Sequence, residues 1–208
     1  MSLNYQHNGK YIDIEVNATG ITRFDNPVVT APDGDSKIIQ IGNLKVKSTL
    51  AIYYVTGEGQ RTLNVNGDMT VEGNTVIHSS KKINITGNLN IDGAKLTYDG
   101  AKANVEGLAV AKDITVENAG TFNADDVDAL NITCANFYLK NASTAKFGNR
   151  TDGATKNLTV SGTISNPAGC TFDIHTANQI SGSVLATITC TKLTVGGEFP
   201  GGRPQVVE

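Results

Sequence analysis

The chain has 208 residues, of which 39% are hydrophobic and 6% aromatic, with no tryptophan; 17 basic against 20 acidic residues leave a net charge of −3. That length suffices for one substantial domain, and the modest apolar content favours a thin, evenly spread core over a single large nucleus. The balanced charge without a basic stripe makes nucleic acid and anionic membrane poor partners, and no apolar run, the longest being Leu50 to Val55, approaches a membrane span.

Residues 4 to 60 are the least regular part. Tyr11-Ile12-Asp13-Ile14-Glu15-Val16 alternates as one strand, and Ile38-Ile39-Gln40-Ile41 with Leu44-Lys45-Val46 predicts two more. Between them, Pro27, Pro32 and Asp33-Gly34 signal a loop. This region reads as an irregular first coil or cap. Met1-Ser2-Leu3 and Glu208 read as appended residues, which leaves room for an export signal upstream.

From Arg61 to Gly120 the sequence repeats at an interval of about 20 residues. Leu63-x-Val65-x-Gly67 recurs as Ile83-x-Ile85-x-Gly87, with Val105-x-Gly107 following. Met69-Thr70-Val71 is matched by Leu89-Asn90-Ile91, and Val76 by Leu96 and Val116. Each unit predicts three short strands, with Val, Ile, Leu and Met inward and Asn, Thr, Asp, Glu and Lys outward. One such coil cannot enclose a core, but coils stacked ~4.8 Å apart align like strands into parallel sheets.

Between Thr121 and Lys156 the pattern loosens, and an insertion is expected around Asp125-Asp126 or around Asn149 to Ala154. Register returns in Val160 to Ile164, which matches Ile180 to Val184. Ile188 to Val195 echoes Ile132 to Leu139 across nearly three turns. Gly196 to Glu208, with Pro200 and Pro204, predicts a tail. The expected organisation is one all-β domain over 4–195, with a cap at 4–60, regular coils at 61–195 and an insertion around 121–156. About eight to ten coils follow from the period.

Candidate chemistry is sparse. Asp125-Asp126-x-Asp128 is the densest acidic group, suited to a hard cation or to acid/base work on a sugar, and Asp125, Asp126, Asp128, Asn149 and Asp152 are the candidate ligand-binding residues. Cys134, Cys170 and Cys190 read as buried apolar fillers, Cys170 and Cys190 stacked in neighbouring coils, because no CxxC or nearby His supports a thiolate. His78, 20 residues before Tyr98, is expected to stack on that ring. Asn-x-Thr/Ser occurs at Asn17, Asn84, Asn131, Asn141, Asn149 and Asn157, and outward Asn and Thr suit hydrogen bonds to sugars. No cofactor, metal site or catalytic residue is expected.

The repeat pattern resembles the right-handed parallel β-helix, a β-solenoid form shared by pectin-degrading enzymes, tail-spike proteins and bacterial surface proteins. The polygalacturonase motifs are absent. Thr151-Asp152-Gly153 follows Arg150 instead of an Asn, comes after Asp125-Asp126, and no Gly-His-Gly or Arg-x-Lys succeeds it. The resemblance to adhesin-like β-helix proteins of bacteria implies a non-enzymatic binding module, extracellular or at the cell surface, with a glycan or another surface as partner. The alternatives are a carbohydrate-active enzyme or inactive relative, and a self-assembling scaffold similar to bactofilins. The oligomeric state is left open by the sequence.

Overall fold

The computed structural model describes residues 2–18, 21–23, 37–52, 61–78, 81–100, 107–127, 130–147, 156–174 and 186–198. Among the described residues there is no helix. Three parallel sheets run the length of the molecule, two of eight strands and one of seven, and a two-stranded antiparallel hairpin stands apart. Each winding of the backbone contributes one strand to each sheet in turn, as Arg61–Val65, Met69–Val71 and Thr75–His78 do. The fold is an all-β parallel solenoid.

Strand formation follows from alternation. Leu63, Val65, Ile83 and Ile85 are inward and buried, whereas Asn64 and Asn84 between them are only half-buried. Leu63 pairs with Ile83 and Val65 with Ile85. The next level up pairs Ile83 with Leu108 and Ile85 with Val110. Each of these inward positions thus sits on another aliphatic side chain one level away, and they belong to a single continuous core. Burying each such side chain is worth about 1.5–3 kcal/mol.

The repeat is less uniform than its best-matched part suggests. The interval is 20 or 21 residues only between the coil starting at Arg61 and the coil starting at Lys81. Other neighbouring strands are 23 to 30 residues apart, and Ser2 pairs with Ile38 across the hairpin of Gln6–His7 with Lys10–Tyr11. The added residues lie between strands. Accordingly Val105-x-Gly107 is not the next rung: Leu108 and Val110 are. Val76 pairs with Thr97 and is half-buried, while Thr75 and Ile77 point inward. Ile164 pairs with Leu193, and residues 180–184, the expected match of Val160–Ile164, lie outside the described residues. The echo of Ile132 in Ile188 is real and spans two windings, through Leu158.

The alternating run from Tyr11 to Val16 is broken rather than continuous. Lys10–Tyr11 belongs to the hairpin and Ile14–Val16 to the second sheet. Asp125 and Asp126 lie inside the strand Thr121–Val127, not in a protruding insertion. The register there slips between Thr97 and Asp99, a one-residue bulge that Asn123 and Asp126 flank. Residues 148–155, the other expected site of insertion, lie outside the described residues.

At the far end the chain continues to pack beyond Val195. The Gly196 and Gly197 N–H groups donate to the Asn166 carbonyl, Glu198 N–H donates to the Cys170 carbonyl, and Phe172 N–H donates to the Glu198 carbonyl. Asn166 occupies an inward position that Leu139 holds one level below. Its side-chain amide donates to the Glu198 carbonyl at 2.8 Å, which fastens the last coil.

Candidate functional site: polar rows along the solenoid

Stacking turns any outward residue type repeated in the sequence into a row, and three rows define the surface. The first runs along the corner between the first and second sheets. The residue just before each of the first six second-sheet strands is Asp13, Asn43, Asp68, Asn88, Asp113 and Asn136 in turn. In five of the six a side-chain oxygen accepts the backbone N–H of the next level. Asp13 Oδ1 accepts from Asn43 at 2.7 Å, Asn43 Oδ1 from Asp68 at 2.7 Å, and Asp68 Oδ1 from Asn88 at 2.6 Å. Asn88 Oδ1 then accepts from Asp113 at 3.3 Å, and Asn136 Oδ1 from Thr163 at 2.8 Å.

The alternation of acid and amide has a physical reason. Carboxylates one level apart would repel, whereas an amide between them donates its Nδ2 to the acid below. Asn43 does so to Asp13 at 3.0 Å, Asn88 to Asp68 at 3.2 Å, and Asn136 to Asp113 at 2.8 Å. The backbone N–H of Asn43 first, and its side-chain amide second, hold the Asp13 carboxylate below the usual carboxylate range. The row ends with Thr163 and Lys192, which pair in the last two levels.

The second row is shorter and lies at the corner between the second and third sheets. Asn118 Nδ2 donates to Asp92 Oδ1 at 2.7 Å, and Asn141 Nδ2 donates to Asn118 Oδ1 at 3.0 Å. Asn118 and Asn141 have φ of 55° and 52°, the left-handed region that Asn tolerates best after Gly.

The third is a two-column grid on the outer face of the first sheet. Asn131 pairs with Asn157 and Asn157 with Thr187; two residues along, Thr133 pairs with Thr159 and Thr159 with Thr189. Thr133, Thr159, Thr187 and Thr189 are exposed, and the two asparagines half-exposed. Asn157 Nδ2 donates to Asn131 Oδ1 at 2.7 Å. Sheet geometry spaces these groups about 4.8 Å along the axis and about 6.6 Å across it. No acid or base stands in this grid. By contrast, the second sheet carries Glu15, Lys45 and Lys47 at one end, with ion pairs of 2.7 Å to Glu72 and 2.9 Å to Glu15.

Of the polar residues singled out in the sequence as candidate ligands, Asp125 and Asp126 are among the described residues. Asp125 is half-buried in its strand and its N–H donates to Asn123 Oδ1 at 3.4 Å. Asp126 pairs through its backbone with Asp99. Asp128, Asn149 and Asp152 lie outside the described residues. Among the described residues no three His, Cys, Asp or Glu converge as metal ligands.

Cys134 and Cys170 are buried and Cys190 is half-buried, all as free thiols. Cys170 precedes a third-sheet strand and Cys190 follows a first-sheet strand, so these two do not stack. Burial first, and then the Asp113 carboxylate, push the Cys134 thiol up to about 12, and burial also raises Cys190. Neither is a thiolate at neutral pH. His78 pairs with Asp99 rather than Tyr98, and Tyr98 is inside the core against Phe122. His7 is exposed on the hairpin, and His175 lies outside the described residues.

Comparison with protein-family models, curated proteins and solved structures found no match.

The corner row was missed because a fixed period of 20 residues superimposes only Asp68 and Asn88 among its members. Aligning on strand starts exposes it: Asp13-Ile14, Asn43-Leu44, Asp68-Met69, Asn88-Leu89, Asp113-Ile114 and Asn136-Phe137 share one form. The grid was available too, in Asn131-x-Thr133 and Asn157-x-Thr159, which the sequence shows as scattered glycosylation-like triplets, and in Thr187-x-Thr189.

Proposed function

We propose that this chain is a non-enzymatic, adhesin-like binding module, secreted or displayed at a cell surface, that holds neutral glycans against the first sheet. The supporting observation is the uncharged grid of Asn131, Thr133, Asn157, Thr159, Thr187 and Thr189. Amides and hydroxyls at a fixed repeat match the hydroxyl pairs of a sugar chain lying along the axis. The backbone beneath them is tied into a parallel sheet, so little ordering entropy is lost on binding. The absence of charge from the grid favours a neutral ligand over an anionic one.

A glycan array read with the purified protein tests this. Wild type is expected to retain neutral oligosaccharides, and Thr159→Glu is expected to lose at least tenfold in affinity, the size of one or two good hydrogen bonds. Thr70→Glu on the second sheet should bind like wild type. Equal loss from both variants, or no binding to any neutral glycan, contradicts the proposal. Release of new reducing ends from a bound polysaccharide would replace it with the enzyme reading.

A further inference from the structure

The two ends of the solenoid differ from its sides in one respect. Among the described residues, the large apolar side chains that are exposed are Tyr5 at 42%, Ile12 at 43% and Val195 at 44%. Tyr5 and Ile12 flank the hairpin of the first coil, and Val195 closes the last second-sheet strand. Beside Val195, Ile188 and Leu193 are only partly buried, although their counterparts one level below, Leu158 and Ile164, are buried.

Among the described residues, both ends also finish in edge strands. Ala186–Thr189 and Lys192–Val195 are outermost at one end, and Ser2–Asn4 and Ile14–Val16 are outermost at the other. An exposed strand edge is a template for pairing with another chain. All strands in these sheets are parallel, so adding the first coil of a second copy onto the last coil keeps both sheet sense and winding.

The register says what would meet. Ile14 and Leu193 belong to the same inward row, which runs through every second-sheet strand. Asp13 and Lys192 each precede that row by one residue, so they begin and end the corner row. Placing one copy on the next in register sets Ile14 beside Leu193 and the Asp13 carboxylate beside the Lys192 ammonium. Val16 is already covered at 5% exposure, so the apolar contact at that end is made by Tyr5, Ile12 and Ile14.

From this matching of apolar rows and of opposite charge at the two ends of one row, we infer that the partner for the open last coil is the first coil of a second copy of this chain. The contact is head-to-tail, so it does not close on itself and copies add along the axis. It leaves the polar grid of the first sheet free and does not depend on any ligand there.

Sedimentation velocity across a wide concentration range, at low and high salt, tests the inference. Wild type is expected to form dimers and longer species as concentration rises, and salt should weaken them because the Asp13–Lys192 contact is screened. Lys192→Met and Asp13→Asn are each expected to weaken association about tenfold, and the double variant no more than either alone, as for a direct pair. Asp13→Asn keeps an oxygen for the Asn43 N–H, so the first coil is preserved in that variant. Val195→Glu, on an exposed position, should abolish association while thermal unfolding of the monomer stays unchanged. A wild type that remains monomeric throughout overturns the inference. So do additive effects in the charge cycle, or association that emerges only when residues 199–208 are deleted.

Discussion

The coils before residue 100 and those after it solve the same packing problem differently. In the lower coils the core is aliphatic: Leu44, Met69, Ile83, Leu89 and Ile91 are all fully buried. In the upper coils Phe122, Phe137, Phe147 and Phe172 share the interior. Phe147 stacks on Phe122 at 5.5 Å and on Phe172 at 5.3 Å, and Phe137 meets Phe122, Phe147 and Phe172 edge-on at 5.9–6.2 Å. The corner between second and third sheets grows in step. After the first coil, where four residues separate Val16 from Ile21, two or three separate the strands between Val46 and Lys95, three separate Glu117 from Thr121, and four separate Leu139 from Thr144. A longer perimeter encloses a wider section, and rings fill what aliphatic side chains would leave empty.

The largest expected effect follows from that contrast. Phe147→Ala should cost about 3–5 kcal/mol, since the ring has neighbours on both levels and the cavity cannot collapse against a stacked sheet. Ile83→Val in the slimmer section should cost about 0.5–1.5 kcal/mol. Chemical denaturation of both variants measures the ratio, and similar losses would mean that the two halves are packed alike.

Tyr98 marks the boundary between the halves. It is fully buried, tilted against Phe122 at 6.1 Å, and its hydroxyl has no hydrogen-bond partner; burial raises its pKa. An unpaired buried hydroxyl is a net cost, so Tyr98→Phe should stabilise by about 1 kcal/mol. A destabilised variant would show that the hydroxyl is satisfied in solution.

Much of the architecture was legible from residues where corner lengths happen to agree. Leu63 with Ile83 and Met69 with Leu89 both match at 20 residues because the corner between the first and second sheets has the same length in those two coils. One added residue between Ile91 and Leu96 sufficed to turn the expected Val76–Leu96 match into Thr75–Leu96, since a slip of one exchanges the two faces of a strand. Thr75 consequently lies in the core, its hydroxyl donating to the Gly73 carbonyl at 3.2 Å. A polar residue paired in this way carries no hydrophobic signal. The candidate site was legible only in pieces, because the row from Asp13 to Asn136 is a property of strand starts, not of a period.

That row yields two smaller tests within the lower half. Asn88→Asp places a carboxylate between Asp68 and Asp113 and removes the amide donor to Asp68. It should cost about 1 kcal/mol at low salt and less at high salt. Thermal melts at the two salt levels check this, and a salt-independent loss would point to the lost hydrogen bond alone.

The smallest effect concerns pH. The folded-state pKa of Asp13 lies below its unfolded value, so its contribution is present above the ordinary carboxylate range and fades as pH falls through the folded value. Solvent exposure keeps the effect slight. Asp13→Asn, which keeps an acceptor for Asn43, should flatten the acid limb of the melting curve measured against pH. An unchanged acid limb would assign acid lability to other carboxylates.

Everything in this account depends on the vertical succession of levels, and distances between spin labels on one outward row measure it most directly. Thr70, Asn90, Thr115, Tyr138, Ser165 and Thr194 follow one another across paired strands of the second sheet. With Cys190 replaced by Ser, labels on Thr70→Cys paired with Ser165→Cys or Thr194→Cys should lie about 19 Å and about 24 Å apart, four and five steps of strand spacing. Separations that fail to grow by one strand spacing from the first pair to the second would contradict the solenoid.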